Sequence, residues 1–416
     1  MLILKDVYLN GKTTDILING ANIEKIAPNI TLDGAEILSC KNKAILPSFC
    51  NMHTHAAMMF LRGIGEDLPL FEWLENKIWP LEDRLTPEYV YHISKFAILE
   101  MIRTGTTMFL DMYFETPQTG LAASEMGMRG ALTFTAMDMF DKDECKRRIE
   151  RAQAFLDFKM PSDLIMKGLS PHAIYTTSKE LYTACKDMTR RCGTFLNTHV
   201  SETRKEVNDC LEKYGKRPVE LLEDWGSLDE NTILAHAVHL NNDEMDLIVK
   251  KGSVVAHNPI SNMKLDSGQM HFRAMQKAGV KLTLGTDGVS SNNNLSMIDE
   301  MKVAALSAKI EADDTTAAKV DDIFDMATKN GFEALGLKAG QIKEGFLADF
   351  ILVDMNCYQL LPATNLISNM VYSADSACIT DVFCNGQKLM SNRVVKGEDE
   401  IIKNFKNVCQ ELLKDA

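Results

Sequence analysis

Between residues 44 and 291, apolar strand-like runs alternate with amphipathic helical stretches, and this alternation narrows the possible folds more than any other feature. The runs are AILPSFCNMHTH (44–55), TGTTMFLDMYF (104–114), RGALTFTAMD (129–138), DLIMKGLSPH (163–172), GTFLNTHVSE (193–202), NTILAHAVHL (231–240), GSVVAHNPISN (252–262) and VKLTLGTDGVSS (280–291). Helical stretches such as PEYVYHISKFAILEMIRTG and SKELYTACKDMTRRC lie between them. Strands that are apolar on both faces need helices on both sides, which implies a parallel sheet. Eight β/α units over about 250 residues predict an α/β fold, a (β/α)8 TIM barrel, with a doubly wound open sheet as its competitor.

The two ends of the chain read differently. LILKDVYL, TTDILI and NIEKIAP, with Asn19-Gly20 between the last two, form a β-hairpin pattern. The same texture returns in GFLADFILVD (345–354), DVFCNGQKLM (381–390) and RVVKG. The expectation is one small composite β domain, residues 1–46 and 345–416, beside a barrel of residues 47–344.

Of the 416 residues, 45% are hydrophobic and 25% charged, the composition of an ordinary soluble globular protein that can bury a sizeable core. A net charge of −13 argues against nucleic acid or an anionic membrane as partner. The N-terminus lacks a signal-peptide pattern, and no apolar run reaches the roughly 18 residues of a membrane span. The ten cysteines include no C-x-x-C pair, so free thiols and a cytoplasmic location are expected.

Most of the eight runs end in His, Asp, Glu or Asn, and a barrel gathers those ends on one face. In Asn51-Met52-His53-Thr54-His55 the period of a strand puts His53 and His55 on one side, close enough to share a metal. His199 and Glu202 end the fifth run, His236 the sixth and Asp287 the eighth. Three imidazoles (His53, His55, His199) and the Asp287 carboxylate suit one divalent ion, Zn²⁺ first and Fe²⁺ as the alternative. Such an ion lowers the pKa of bound water. Asp287 then serves as both ligand and base, Glu202 as the acid that protonates a ring nitrogen, and His236 as stabiliser of the incoming oxygen. His172, ending the fourth run, faces the same mouth and is a candidate for binding substrate. Glu82, taken alone, reads as a solvated acid near a helix start.

PSFCNMHTH, NTHVSE, LAHAVHL, HNPISNMKL and LGTDGVSSNN, in that order, resemble the mononuclear-metal deaminase branch of the amidohydrolase superfamily. MLILKDVYLNG and GQIKEGFLADFILVD resemble the two halves of its small β domain, so the resemblance spans nearly the whole chain. No lysine ends the fourth run, since Lys167 lies inside it, which fits one metal ion rather than a bridged pair. LRGIGEDLPLFEWLENKIWPLEDRLT resembles the 5′-methylthioadenosine/S-adenosylhomocysteine deaminases, and atrazine chlorohydrolase-like enzymes share much of it. That resemblance implies deamination of an adenine nucleoside at C6, with Glu82 gripping the ribose hydroxyls, Trp73 lining the pocket and His172 touching base or sugar. It also implies a small-molecule nucleoside partner and a tendency to form homo-oligomers.

One departure concerns the substrate's tail. Members that handle S-adenosylhomocysteine carry an arginine in the third strand for the amino-acid carboxylate, where this chain has Phe134. Lys146-Arg147-Arg148 is the next basic cluster, and Arg148 is the candidate substitute. A missing guanidinium partner removes about 1.5–3 kcal/mol from carboxylate binding, which ranks methylthioadenosine or adenosine above S-adenosylhomocysteine. The alternatives are an aminohydrolase or chlorohydrolase acting on guanine, a pterin or an s-triazine, and a catalytically inactive barrel that only binds. Glu82 favours a ribosyl substrate, because a free base offers it no diol.

Overall fold

The computed structural model describes residues 1–68 and 70–414, apart from the side chains of Leu70 and Phe71. Within them the strands form two sheets. The first is an eight-stranded parallel sheet in sequential order: β1 (Phe49–Thr54), β2 (Thr106–Tyr113), β3 (Arg129–Ala136), β4 (Ile165–Pro171), β5 (Leu196–Val200), β6 (Thr232–His236), β7 (Val254–His257) and β8 (Lys281–Leu284). Its ends meet. The Asp287 N–H donates to the His53 carbonyl (2.9 Å), and the Asn51 side chain bonds both the hydroxyl and the backbone N–H of Thr286 (2.8 and 3.0 Å). The sheet is therefore a nearly closed barrel, as the eight alternating runs predict.

Apolar runs make these strands, and turn chemistry trims them. β1, β2 and β3 are buried along their whole length. GSVVAHNPISN is a strand only to His257; Pro259 starts a helix (Pro259–Lys264), since proline fits the first turn of a helix and cannot pair within a sheet. Helix Pro87–Arg103 is capped by the Thr86 hydroxyl, and helix Lys179–Cys192 starts at a Ser178 cap and ends at left-handed Gly193.

The second sheet has nine strands drawn from both termini. Lys43–Pro47 runs antiparallel to Phe350–Asp354, and this pairing joins the two ends of the chain. AILPSFCNMHTH is thus divided: its first part belongs to this sheet and only Phe49–Thr54 to the barrel. Asn-Gly pairs set two of the other hairpins, whereas the expected Asn19-Gly20 turn falls one residue later, on Gly20-Ala21. Asn10-Gly11 and Asn385-Gly386 all have positive φ (48°, 86°, 54° and 74°), the conformation of a tight two-residue hairpin turn. The second pair splits DVFCNGQKLM into Ile379–Cys384 and Gln387–Ser391. Arg129 and Asp349, both buried, pair at 2.9 Å and tie this sheet to β3 of the barrel. Helix Glu398–Leu412 lies on helix Pro87–Arg103, where Phe405 stacks on Phe96 with centroids 4.0 Å apart. Among the described residues, no helix is long and apolar enough to cross a membrane.

Candidate metal centre and active site

His53, His55, His199, His236, Glu202 and Asp287 meet at the C-terminal mouth of the barrel. The His55 Nε2 and Asp287 Oδ1 atoms are 3.1 Å apart, His53 Nε2 and Asp287 Oδ1 3.5 Å, and His53 Nε2 and His199 Nε2 3.2 Å. Donor atoms held about 2.0–2.1 Å from a tetrahedral ion are about 3.3 Å from one another, so this set has the span of a metal site. Two tautomers are fixed from behind. Nδ1 of His55 donates to the Met112 carbonyl (2.5 Å) and Nδ1 of His199 to the His172 carbonyl (3.1 Å), which turns each Nε2 inward.

Asp287 is divided between two tasks. Its Oδ2 accepts from the hydroxyls of Ser261 (2.6 Å) and Ser291 (3.1 Å), while Oδ1 faces the imidazoles. Burial opposes its charge, but the bonds from His53 and His55 hold its carboxyl well below the usual range. Burial, set against the bond to Asp287, pulls His53 down to about 4. Burial also lowers His199, helped by the neighbouring imidazoles. For His55 burial is outweighed by the bond and charge of Asp287, and its value rises to about 9. The Nε2 atoms of His53, His55 and His199 and the ionised Asp287 oxygen form the donor set a divalent ion takes, His55 giving up its proton as the ion binds.

Glu202 and His236 lie beside this cluster. The backbone N–H groups of Ser201 and Glu202 both donate to the Glu206 carboxylate (2.8 Å each), which fixes the turn after β5. The Glu202 Oε1 accepts from the Ser267 hydroxyl (3.0 Å), and its Oε2 is 3.7 Å from His236 Nε2. Burial, then repulsion from Asp287, pushes Glu202 up to about 8, so it carries a proton at neutral pH. His236 Nδ1 accepts from the amides of Asn262 (2.9 Å) and Asn258 (3.3 Å), which makes Nε2 the donating nitrogen. Ser201, His236 and Asp287 have φ of 50°, 70° and 61°. Each such left-handed residue costs about 1–3 kcal/mol, a strain concentrated at the site.

Above the cluster lies a cavity that opens to solvent. Trp73, Glu82, His172 and Tyr113 line it together with Met58, Trp79, Met112, Phe114 and Met137. Glu82 is half-buried and accepts from the Tyr113 hydroxyl at 2.6 Å, so it stands in the cavity wall rather than in open solvent. Burial lifts it to about 7 against that hydrogen bond. His172 bonds the Thr176 hydroxyl through Nδ1 (2.9 Å) and is lowered by burial to about 3.

Phe134 and Arg148 are not brought to this cavity. Strand alternation turns Thr135 inward, whereas Phe134 lies near Phe155 of helix Lys142–Asp157, with the Arg151 guanidinium 5.6 Å above its ring. Arg148 is on that same helix, bonded to Glu144 at 2.6 Å. Among the described residues no lysine or arginine lines the cavity. Lys167 donates to the carbonyls of Leu156 and Phe158, away from the metal cluster. Sequence reasoning missed Ser261, Ser291, Ser267, Asn262, Glu206 and Tyr113. The first four follow strand ends in HNPISN, DGVSSNN and the loop after β7, so position alone carried their signal.

The sequence profile of the amidohydrolase family matches residues 44–389. A 5-methylthioadenosine/S-adenosylhomocysteine deaminase of Thermococcus onnurineus (strain NA1) is 42% identical over 381 residues, which is 91% of this chain and 90% of that protein. A 5′-deoxyadenosine deaminase of Methanocaldococcus jannaschii is 39% identical over 405 residues, 96% of each. The crystal structure of an adenosine deaminase from Xanthomonas campestris with bound zinc superposes with a TM-score of 0.92 at 28% identity, covering 99% of this chain and 98% of that one.

Proposed function

The chain belongs to the amidohydrolase family, and on that premise we propose that its barrel mouth hydrolytically deaminates an adenine nucleoside at C6, giving the inosine analogue and ammonia. It is a hydrolase of C–N bonds with a small-molecule substrate. One divalent ion is held by His53, His55, His199 and Asp287, with Zn²⁺ before Fe²⁺ because a zinc-bound relative shares the fold. Once bound, the ion supplies Lewis acidity to the attacking water.

The protein's own groups move the protons. Asp287 Oδ1, beside His55, accepts the proton of the attacking water and passes it to the C6 amino group, which leaves as ammonia. Glu202, protonated at neutral pH, hands its proton to N1 of the purine and so makes C6 electrophilic. The His236 Nε2–H donates to the oxygen arriving at C6. Trp73 covers the base, His172 contacts base or sugar, and Glu82 accepts from the ribose hydroxyls. Residues 47–344 form the catalytic unit, with 1–46 and 345–416 as its supporting β unit.

The observation that carries this reading is Glu202, a buried carboxyl bonded by the Ser267 hydroxyl (3.0 Å) and 3.7 Å from His236 Nε2, beside the cluster of His53, His55, His199 and Asp287. A cavity with no lysine or arginine among the described residues favours an uncharged 5′ group, so 5′-methylthioadenosine, 5′-deoxyadenosine and adenosine rank above S-adenosylhomocysteine. The test is ammonia release from these four nucleosides and from guanine, with metal analysis of the same preparation. Expected is turnover of the first three and about tenfold or more lower kcat/KM for S-adenosylhomocysteine. Turnover of guanine alone would overturn the nucleoside reading.

A further inference from the structure

Tyr113 is the last residue of β2 and is almost fully buried. Its backbone carbonyl accepts from the hydroxyls of Thr135 (3.0 Å) and Thr116 (3.1 Å), so the strand end cannot drift. The preceding carbonyl, that of Met112, is the one that orients His55. From this anchored point the phenol reaches across the cavity to Glu82 Oε1 at 2.6 Å. Glu82 itself ends a four-residue helix (Trp79–Glu82) that follows a single π turn, Leu74–Ile78. Helices this short have little order of their own. The geometry points to Tyr113 as a positioning residue for riboside specificity: it ties Glu82 to the strand that also orients His55, and leaves Oε2 free for a sugar hydroxyl.

The chemistry of the pair explains why a phenol stands here. A carboxylate that is to accept a vicinal diol must stay ionised, yet this one is in a mostly apolar wall, where burial favours the neutral acid. A phenol donates a hydrogen bond to it without adding charge. It also occupies only Oε1, so the acceptor offered to substrate points one way. Discrimination for sugar hydroxyls is therefore set at the end of β2 and not by Glu82 alone.

This inference rests on reading Glu82 as the acceptor for ribose hydroxyls, and a substrate pair separates the two. Adenosine and 2′,3′-dideoxyadenosine are compared in wild type, Tyr113→Phe, Glu82→Gln and the double variant. For Tyr113→Phe, KM for adenosine is expected to rise about tenfold with kcat within about twofold, and the dideoxy substrate to change by less than about twofold. Adding Tyr113→Phe to Glu82→Gln should cost no further discrimination, and metal content should stay at the wild-type level. Equal losses on both substrates, or additive losses in the double variant, would overturn the role of Tyr113. If Glu82→Gln favours the dideoxy substrate but Tyr113→Phe does not, the ribose reading stands and this inference falls. If neither variant discriminates, both fall.

Discussion

The floor of the cavity hangs from barrel strand ends, whereas its outer wall is built from residues 73–82, on three short helical turns in succession. His53 and His199 are on separate strands of a nearly closed sheet, β1 and β5, each hydrogen-bonded to its neighbours, and Asp287 is bonded both to the His53 carbonyl and to two serine hydroxyls. Glu82 and Trp73 have no such ladder beneath them; Glu82 is held by the Tyr113 phenol. The difference divides the labour of catalysis. Groups that must be placed within a fraction of an ångström of reacting atoms sit on the rigid part, and groups that recognise the rest of the nucleoside sit on the part that varies easily.

Floor and wall should therefore fail in different ways. The largest effect is expected at the floor. Glu202→Gln removes the proton that N1 needs but keeps the side chain's shape, so kcat should fall about 10²–10⁴-fold for every substrate, with and without sugar hydroxyls. Metal content, measured on the same protein, should be unchanged. A large loss of metal would instead make Glu202 a ligand and erase the distinction between the metal-holding residues and the acid.

The wall should respond in KM and in pH. Glu82 titrates at about 7, and the form that accepts hydroxyl protons is the ionised one, present above that value and lost below it. Between pH 8 and pH 6 its ionised fraction falls from about 0.9 to about 0.1, so KM for adenosine should rise about tenfold as pH is lowered over that range. KM for 2′,3′-dideoxyadenosine should stay flat. Parallel pH profiles for the two would show that the limb belongs to the floor.

The same contrast governs what could be read from the sequence. A strand has period two and a barrel collects its C-terminal ends, so His53, His55, His199, His236 and Asp287 could be placed near one another with no contact known. Glu82 could not: beside Asp83 and ahead of Leu85-Thr86-Pro87 it has the local texture of a solvated acid, and only the resemblance to known deaminases moved it into the pocket. Tyr113 carried no signal except its place at the end of β2. Strand ends were legible to within a few residues, but Asn385-Gly386 and Asn258-Pro259 cut two expected runs short, because turn residues override apolar patterning where the chain must reverse or start a helix. Phe134 was legible as a departure but not in its direction, since a one-residue shift in strand phase decides between the cavity and the surrounding helices.

Arg148 gives the smallest expected effect and the sharpest check on where the site ends. Its guanidinium is bonded to Glu144 one helical turn away, at 2.6 Å, on a helix whose inner face packs Phe155 toward Phe134. Nothing in that arrangement reaches the cavity. An (i, i+4) pair of this kind contributes about 0.3–0.5 kcal/mol, so Arg148→Ala should lower stability by no more than that, a shift of about 2 °C or less in Tm. Activity on methylthioadenosine and on S-adenosylhomocysteine should stay within about twofold of wild type. A selective loss on S-adenosylhomocysteine would mean that the guanidinium leaves Glu144 for the substrate's carboxylate, and that the wall recognises a charged tail through a residue that sits outside it before substrate binds.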